Sequence, residues 1–266
     1  MSKLSSVLAL FLMLALAGSL QAEPRSFKEI INSGNLRVGM SLFEPWVMRG
    51  KKQQFIGSEP DVARKLAKDM GLKLSVTELQ WQELIPALEA GDIDIIISGM
   101  SISPSRALKV NFSNSYASSG IGLASNIAKT EQISSLQELQ SADVSIGVVA
   151  GTVAEELAER LFPQSRKVSF TDFQQAADSL VKAKLHVLLA DNPLPNHLAL
   201  RYPDKIDAPL TEPLLVSKEA FAIRKGDIDF LNFLNVWINV HQDDSWLTSV
   251  RYYWFETLRW KPMVAE

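Results

Sequence analysis

The stretch Gly91-Asp92-Ile93-Asp94-Ile95-Ile96-Ile97-Ser98-Gly99-Met100-Ser101-Ile102-Ser103-Pro104-Ser105-Arg106 decides the fold. Ile93 and the isoleucines at 95–97 form a short apolar run of the kind buried on both faces in a parallel sheet. A polar turn, 98–103, leaves its carboxyl end. Ser103 followed by Pro104 marks a helix start, with a hydroxyl to cap free N–H groups and a ring whose φ is preset. Arg106 then falls in the first turn, where a cation gains nothing from a helix dipole that favours anions. Serine hydroxyls, backbone N–H groups and a guanidinium gathered there suit a carboxylate. The carboxyl end of a strand is also where open α/β sheets hold small molecules. The competing reading is a surface arginine paired with a nearby acid.

Outward from this stretch the chain alternates strand and helix. Leu36-Arg37-Val38-Gly39-Met40 is a short apolar strand. Residues 60–70 form an amphipathic helix with Val62, Leu66 and Met70 on one face and Gly71 as its stop. A strand over 72–79 and a helix over 81–90 lead into the quoted run. A second unit repeats the pattern. A strand at 144–149 turns through Ala150-Gly151-Thr152 into a helix at 153–161. A strand at 168–170, a helix at 173–182 and a strand at 187–190 follow, ending at Asp191-Asn192-Pro193. The last strand is 219–224, with a helix from 228 to 241. This order predicts an α/β fold, a mostly parallel sheet with helices on both faces. The aromatic C-terminal stretch (Trp246, Tyr252, Tyr253, Trp254, Phe255, Trp260) is expected to pack back onto a core, with a binding surface as the alternative.

The 266 residues suit two modest lobes. A net charge of -3 gives no reason to expect nucleic acid or an anionic membrane as partner. There is no cysteine, which excludes disulfides, thiol chemistry and a lipid-modified N-terminal cysteine. The three histidines, His186, His197 and His241, are scattered, so neither a metal nor another cofactor is expected. Lys3 precedes an apolar segment, 4–17, shorter than the roughly 20 residues a membrane helix needs. It has the form of a signal peptide, cleaved after Ala17 or, as preferred here, after Ala22, with an uncleaved anchor as the other reading. The expected location is the periplasm.

With these motifs in register, the chain resembles the periplasmic solute-binding proteins (family 3) that serve ABC importers of amino acids and similar polar solutes. The resemblance spans roughly residues 27–258. It rests on Leu36 to Met40 with Phe43, Pro45 and Trp46 behind them, on Gly57-Ser58-Glu59-Pro60-Asp61-Val62-Ala63, and most on 81–106. Asn111-Phe112-Ser113-Asn114-Ser115-Tyr116, Ala150-Gly151-Thr152, Ala190-Asp191-Asn192-Pro193 and Ala222-Ile223-Arg224-Lys225-Gly226-Asp227 follow in order. It implies a type II two-lobed fold: a signal peptide at 1–22, a first lobe of 24–118 plus 218–266, and a second of 119–217. Two hinge strands would join the lobes, crossing near 116–120 and 215–219, and hinge closure would trap the ligand.

The resemblance also implies residue roles. Arg106 would clamp a ligand α-carboxylate, helped by Ser101 and the backbone at Gly99. Thr152 and the N–H of Val153 would reach the same carboxylate from the second lobe, at a helix start. Asp191 would take the α-ammonium, unless it merely caps the next helix. Phe43 and Trp46 would stack on the ligand side chain. Many relatives carry an acid just after the first strand, where Ser41 or Leu42 stands here. Glu59 is the candidate replacement, with a helix N-terminal or surface role as the alternative, and Glu219 at the second hinge is a further one.

The implied function is a receptor, not an enzyme, that takes an amino acid or small carboxylate and hands it as a monomer to an inner-membrane ABC permease. The alternatives are a dehydratase of the arogenate or prephenate type on the same fold, with a carboxylate as general acid, and a soluble ligand sensor.

Overall fold

The structure is a computed structural model that describes residues 24–257 and 259–264. The signal-peptide reading therefore lies outside the described residues. The strands are β1 Asn35–Met40, β2 Met48–Arg49, β3 Phe55–Ile56, β4 Lys73–Glu78, β5 Ile95–Ile96, β6 Val110–Asn126, β7 Ser145–Val149, β8 Arg166–Phe170, β9 Val187–Asp191, β10 Ile206–Asp207 and β11 Leu215–Arg224. Nine form one sheet in the order β4-β1-β5-β11-β6-β9-β7-β8, with β10 also on β6, and β2 and β3 form a small hairpin.

Parallel pairing joins β4, β1 and β5 at one end and β9, β7 and β8 at the other. Between them stands the antiparallel pair β6 and β11, matched from Val110↔Arg224 to Ile121↔Leu215. The result is two α/β lobes, each a parallel triplet flanked by helices, joined through two long shared strands. Ala117, Ser118, Ser119 and Gly120 of β6 face Glu219, Lys218, Ser217 and Val216 at the crossing. The ladder shifts register at Glu219/Ala220 and again before Ala222, and such bulges bend a strand and increase its twist.

The apolar periodicity found its partners. Leu36, Val38 and Met40 of β1 have no exposed surface, nor do Ala63 and Leu66 of the helix Ser58–Asp69. Ser103 accepts the Arg106 N–H at 3.4 Å and caps a one-turn helix, Pro104–Ala107. Trp254, Phe255 and Trp260 are buried, so the C-terminal aromatics do pack inward, although Tyr252 stays exposed.

Three expectations shift. The strand expected at 93–97 is reduced to Ile95–Ile96, although the Asp94 and Ile97 N–H groups still bond Arg37 O and Gly39 O of β1. The helix expected from 81 opens with a 3-10 turn, Trp81–Glu83, before Leu84–Ala90. The last strand starts at Leu215 rather than 219, since β6 supplies pairing from Ile121↔Leu215 onward.

Asp94 anchors the first lobe. Its buried carboxylate accepts the Arg37 guanidinium at 2.7 Å and the Arg37 backbone N–H at 2.8 Å, and it also pairs with Arg25. The two arginines retain contact with water, each with a side chain 20% exposed. Asp94→Ala leaves their donors to solvent and strips the Arg37 N–H of its partner. A loss of about 2–3 kcal/mol is expected in urea unfolding, with the m-value unchanged.

Candidate ligand-binding site

The site lies where the ends of the strands of the two lobes meet across the crossing. Loop 98–103 is sewn to the hinge strand: Ala220 N–H donates to Met100 O at 3.0 Å and Ile102 N–H to Lys218 O at 2.8 Å, and Ser101 bridges Glu219. Gly99 takes φ +63°, and a Cβ there would fall 2.3 Å from the Trp46 indole. A side chain at this position is excluded both by backbone conformation and by that ring.

Arg106 is buried and points from the first lobe into the second. It donates to Ser101 O and to Gly151 O, each at 2.7 Å. These bonds use two of its five N–H groups. Burial lowers its pKa, against the opposing pull of Asp191 and Glu156. The surface-arginine reading is thus corrected.

The second lobe brings Thr152 and Asp191. Thr152 caps the helix Val153–Leu161, accepting the Glu155 N–H at 3.3 Å, and its hydroxyl donates to Val149 O at 2.7 Å. Val153 is the first residue of that helix, so its N–H lies at the positive end of the dipole. Asp191 ends β9 and accepts the Ser119 hydroxyl at 3.2 Å. Burial pushes its pKa up to about 6, opposed by Arg106. It does not cap the next helix, Leu194–Arg201, whose N-cap is Pro193 with no side-chain bond.

Aromatic rings fill the centre. Phe43 stacks on Trp46 at 4.4 Å between centroids, and its other face meets Phe173 at 3.7 Å. Phe173 opens the second-lobe helix Phe173–Val181 and meets Trp81 edge-on at 6.3 Å. Trp81 carries the Arg106 guanidinium 5.3 Å from its ring centroid, and its indole N–H donates to Gly151 O at 3.1 Å. Sequence reasoning saw in Trp81 and Phe173 only helix residues. The signal available was their place at helix starts just past strand ends, where side chains face the cleft.

Glu59 lies buried in the first turn of its helix, not on the surface. It accepts the Gly99 N–H at 3.1 Å, the Tyr116 hydroxyl, and the Ser58 hydroxyl at 3.2 Å. Burial raises its pKa despite these donors. Glu219 is equally buried. One oxygen accepts the Trp46 indole N–H at 3.2 Å, while the other has no hydrogen-bond partner among the described residues and stands 3.6 Å from the Arg251 guanidinium. Burial pushes the Glu219 pKa up to about 8, Arg251 opposes it, and Glu59 adds to it. These two acids hold the Gly99 loop and the Trp46 ring, while Arg106 bonds Gly151 O beside Thr152 and lies in electrostatic range of Asp191.

Glu219 makes stability fall with rising pH. The folded state holds its proton up to about pH 8, whereas the unfolded chain releases it near 4.5. Between these values the native state binds the extra proton, so ΔG of unfolding declines as pH rises and levels off above about 8. The limiting slope is about 1.4 kcal/mol per pH unit. Unfolding in urea at pH 6 and pH 8 is expected to show lower stability at pH 8, and Glu219→Gln is expected to flatten the difference.

The chain matches the family of bacterial extracellular solute-binding proteins, family 3, over residues 36–257. It is 25% identical to the L-cystine-binding protein TcyJ of Escherichia coli (strain K12), covering 95% of this chain and 94% of that one. It is 24% identical to a cyclohexadienyl dehydratase of Pseudomonas aeruginosa, over 94% of this chain and 92% of the enzyme. Among solved structures, it superposes with a TM-score of 0.80 and 31% identity on the putative binding component of an ABC transporter from Wolinella succinogenes complexed with lysine, covering 86% and 98% of the two chains. With more than half its length matched by the family and its two lobes joined through β6 and β11, the chain belongs to the bacterial extracellular solute-binding proteins, family 3.

Proposed function

We propose that this protein is a periplasmic receptor that captures an amino acid, or a similar small carboxylate, between its lobes and delivers it to an ABC importer without chemical change. The observation that carries the reading is the convergence of three groups from both lobes: a buried Arg106, the helix start at Thr152–Val153 and the half-buried Asp191. A zwitterion needs a cation and N–H donors at one end and an acid at the other. On binding, the ligand carboxylate replaces the carbonyls of Ser101 and Gly151 as the acceptor on Arg106, a charge-assisted pair in place of neutral bonds. Ser101 and Gly99 supply donors from the first lobe, Asp191 takes the ammonium, and Phe43 with Trp46 provides the apolar wall. Glu59 acts here through the Gly99 loop that it holds.

In this reading the first lobe is 24–118 plus 218–266, the second is 119–217, and the hinge lies in β6 and β11 at their small residues. Residues 1–22 are the export signal, the mature receptor carries no lipid, and it works as a monomer facing a membrane permease. The named ligands of relatives, L-cystine and lysine, support the amino-acid class.

A second reading is favoured by one specific observation. Glu219 keeps its proton near neutral pH, which suits a general acid, and the dehydratase relative is an enzyme of nearly full-length similarity. Against it, Glu219 is engaged by the Trp46 indole N–H and faces the Arg251 guanidinium.

Thermal unfolding of ligand-stripped protein against the common amino acids, small carboxylates and arogenate tests both readings. A ligand at a hundred times its dissociation constant is expected to add about 2.7 kcal/mol. Arg106→Ala is expected to weaken binding on the order of a hundredfold. A response to arogenate alone, with product formed, replaces the receptor by the enzyme. No response to any carboxylate sinks both.

A further inference from the structure

Phe173 belongs to two surroundings at once. One face of its ring lies on Phe43, 15° from parallel, and its edge meets Trp81, the ring that carries Arg106. The same residue lines a cavity of about 280 Å³ between the lobes, walled by Phe43, Val47 and Met48 on one side and by Phe173, Leu194 and Leu198 on the other. Phe173 therefore stands as the partition between the Arg106 end of the cleft and this chamber. It is the first residue of its helix, anchored by Asp172, whose side chain caps the helix through the Gln175 N–H at 2.8 Å.

The inner wall of the chamber is apolar: Phe43, Val47, Met48, Phe173, Leu194 and Leu198 are buried, whereas Arg201 is exposed and the Glu44 side chain is 36% exposed. Arg49 binds Glu78 at 2.5 Å and lies over the Phe55 ring, Glu44 faces His197 at 4.0 Å, and the Arg201 guanidinium lies over the Tyr202 ring. A charged ligand side chain would meet Glu44 and Arg201 only where water already reaches them, so such a pair would gain little. A bulky apolar one would replace the stack that Phe173 gives up, burying its own surface against Leu194, Leu198 and Val47.

We propose that Phe173 is a gate between the Arg106 clamp and the interlobe chamber, and that the preferred ligand is an amino acid with a large apolar side chain that displaces Phe173 to enter the chamber. This inference rests on the receptor reading for its ligand, whereas the gate itself is a property of the cavity.

Two measurements separate them. The first titrates 8-anilinonaphthalene-1-sulfonate by fluorescence, since its sulfonate suits Arg106 and its rings suit the chamber. Phe173→Ala is expected to bind the dye at least fivefold more tightly than the parent, and Arg106→Ala in the same chain is expected to abolish that gain. The second compares leucine and phenylalanine with alanine and serine by calorimetry. The parent is expected to favour the large pair, and Phe173→Ala to raise the ratio of large to small by about tenfold. Phe173→Leu, which keeps an apolar side chain at the helix start but removes the stacked ring, is expected to move both readouts in the same direction by less, and it carries the test if the alanine variant does not fold. Unchanged dye affinity, a gain that survives Arg106→Ala, or equal weakening of all four amino acids overturns the gate. If the parent binds no amino acid, the receptor reading fails, and the dye titration alone decides the gate.

Discussion

The antiparallel ladder between β6 and β11 is the constraint on which the rest of the structure depends. It runs through both lobes, so each lobe completes its sheet on strands that it shares with the other. The same two strands hold the candidate site. The backbone of β11 bonds the loop around Ser101, and Ser119 of β6 holds the Asp191 carboxyl. A rotation at the crossing therefore moves whole lobes about a fixed pair of anchors. Small residues at 117–120 and the bulges beside Ala220 allow that bend without breaking the core on either side.

Charge is distributed around this ladder in two layers. Beside the Trp46 ring and the Gly99 loop, Glu59 is satisfied by three donors, whereas Glu219 keeps one oxygen without a hydrogen bond among the described residues. Their burial is unfavourable for the ionised form, and protonation of Glu219 relieves it. Toward the second lobe, Arg106 is buried with only carbonyl acceptors at bonding distance among the described residues and Asp191 in electrostatic range. A guanidinium in that state has more to gain from a carboxylate than one already paired in water. The same groups make the contacts across the cleft: Gly151 O accepts from Arg106 and from the Trp81 indole, and Phe43 stacks on Phe173.

Family membership constrains the activity less than the fold. The chain has binding proteins and a dehydratase among its similar proteins at nearly the same identity. A general acid on such a scaffold must stand where it can give its proton to the bound ligand. Here the acid most inclined to keep its proton, Glu219, is occupied with Trp46 and Arg251.

The local order of the chain was legible in sequence because it follows from short-range rules. The 3.6-residue apolar spacing of the Ser58 helix, the Ser103-Pro104 start and the isoleucine run each fix local structure through burial and capping. The family resemblance then aligned Arg106, Thr152 and Asp191 in one cleft. Three features were not legible. The length of β6 escaped notice because a Ser-, Asn- and Gly-rich stretch has weak strand propensity and becomes a strand only when β11 and β9 pair with it. The burial of Glu59 depends on Gly99, Ser58 and Tyr116 meeting, two of them far away in sequence. Phe173 and Trp81 become cleft residues only when the two lobes face each other. The sequence by itself determined most of the helices, the apolar strands and which residues carry charge toward the strand ends. Tertiary structure alone decided which rings fill the cleft and which acids are buried, because those outcomes depend on contacts between segments that no local pattern encodes.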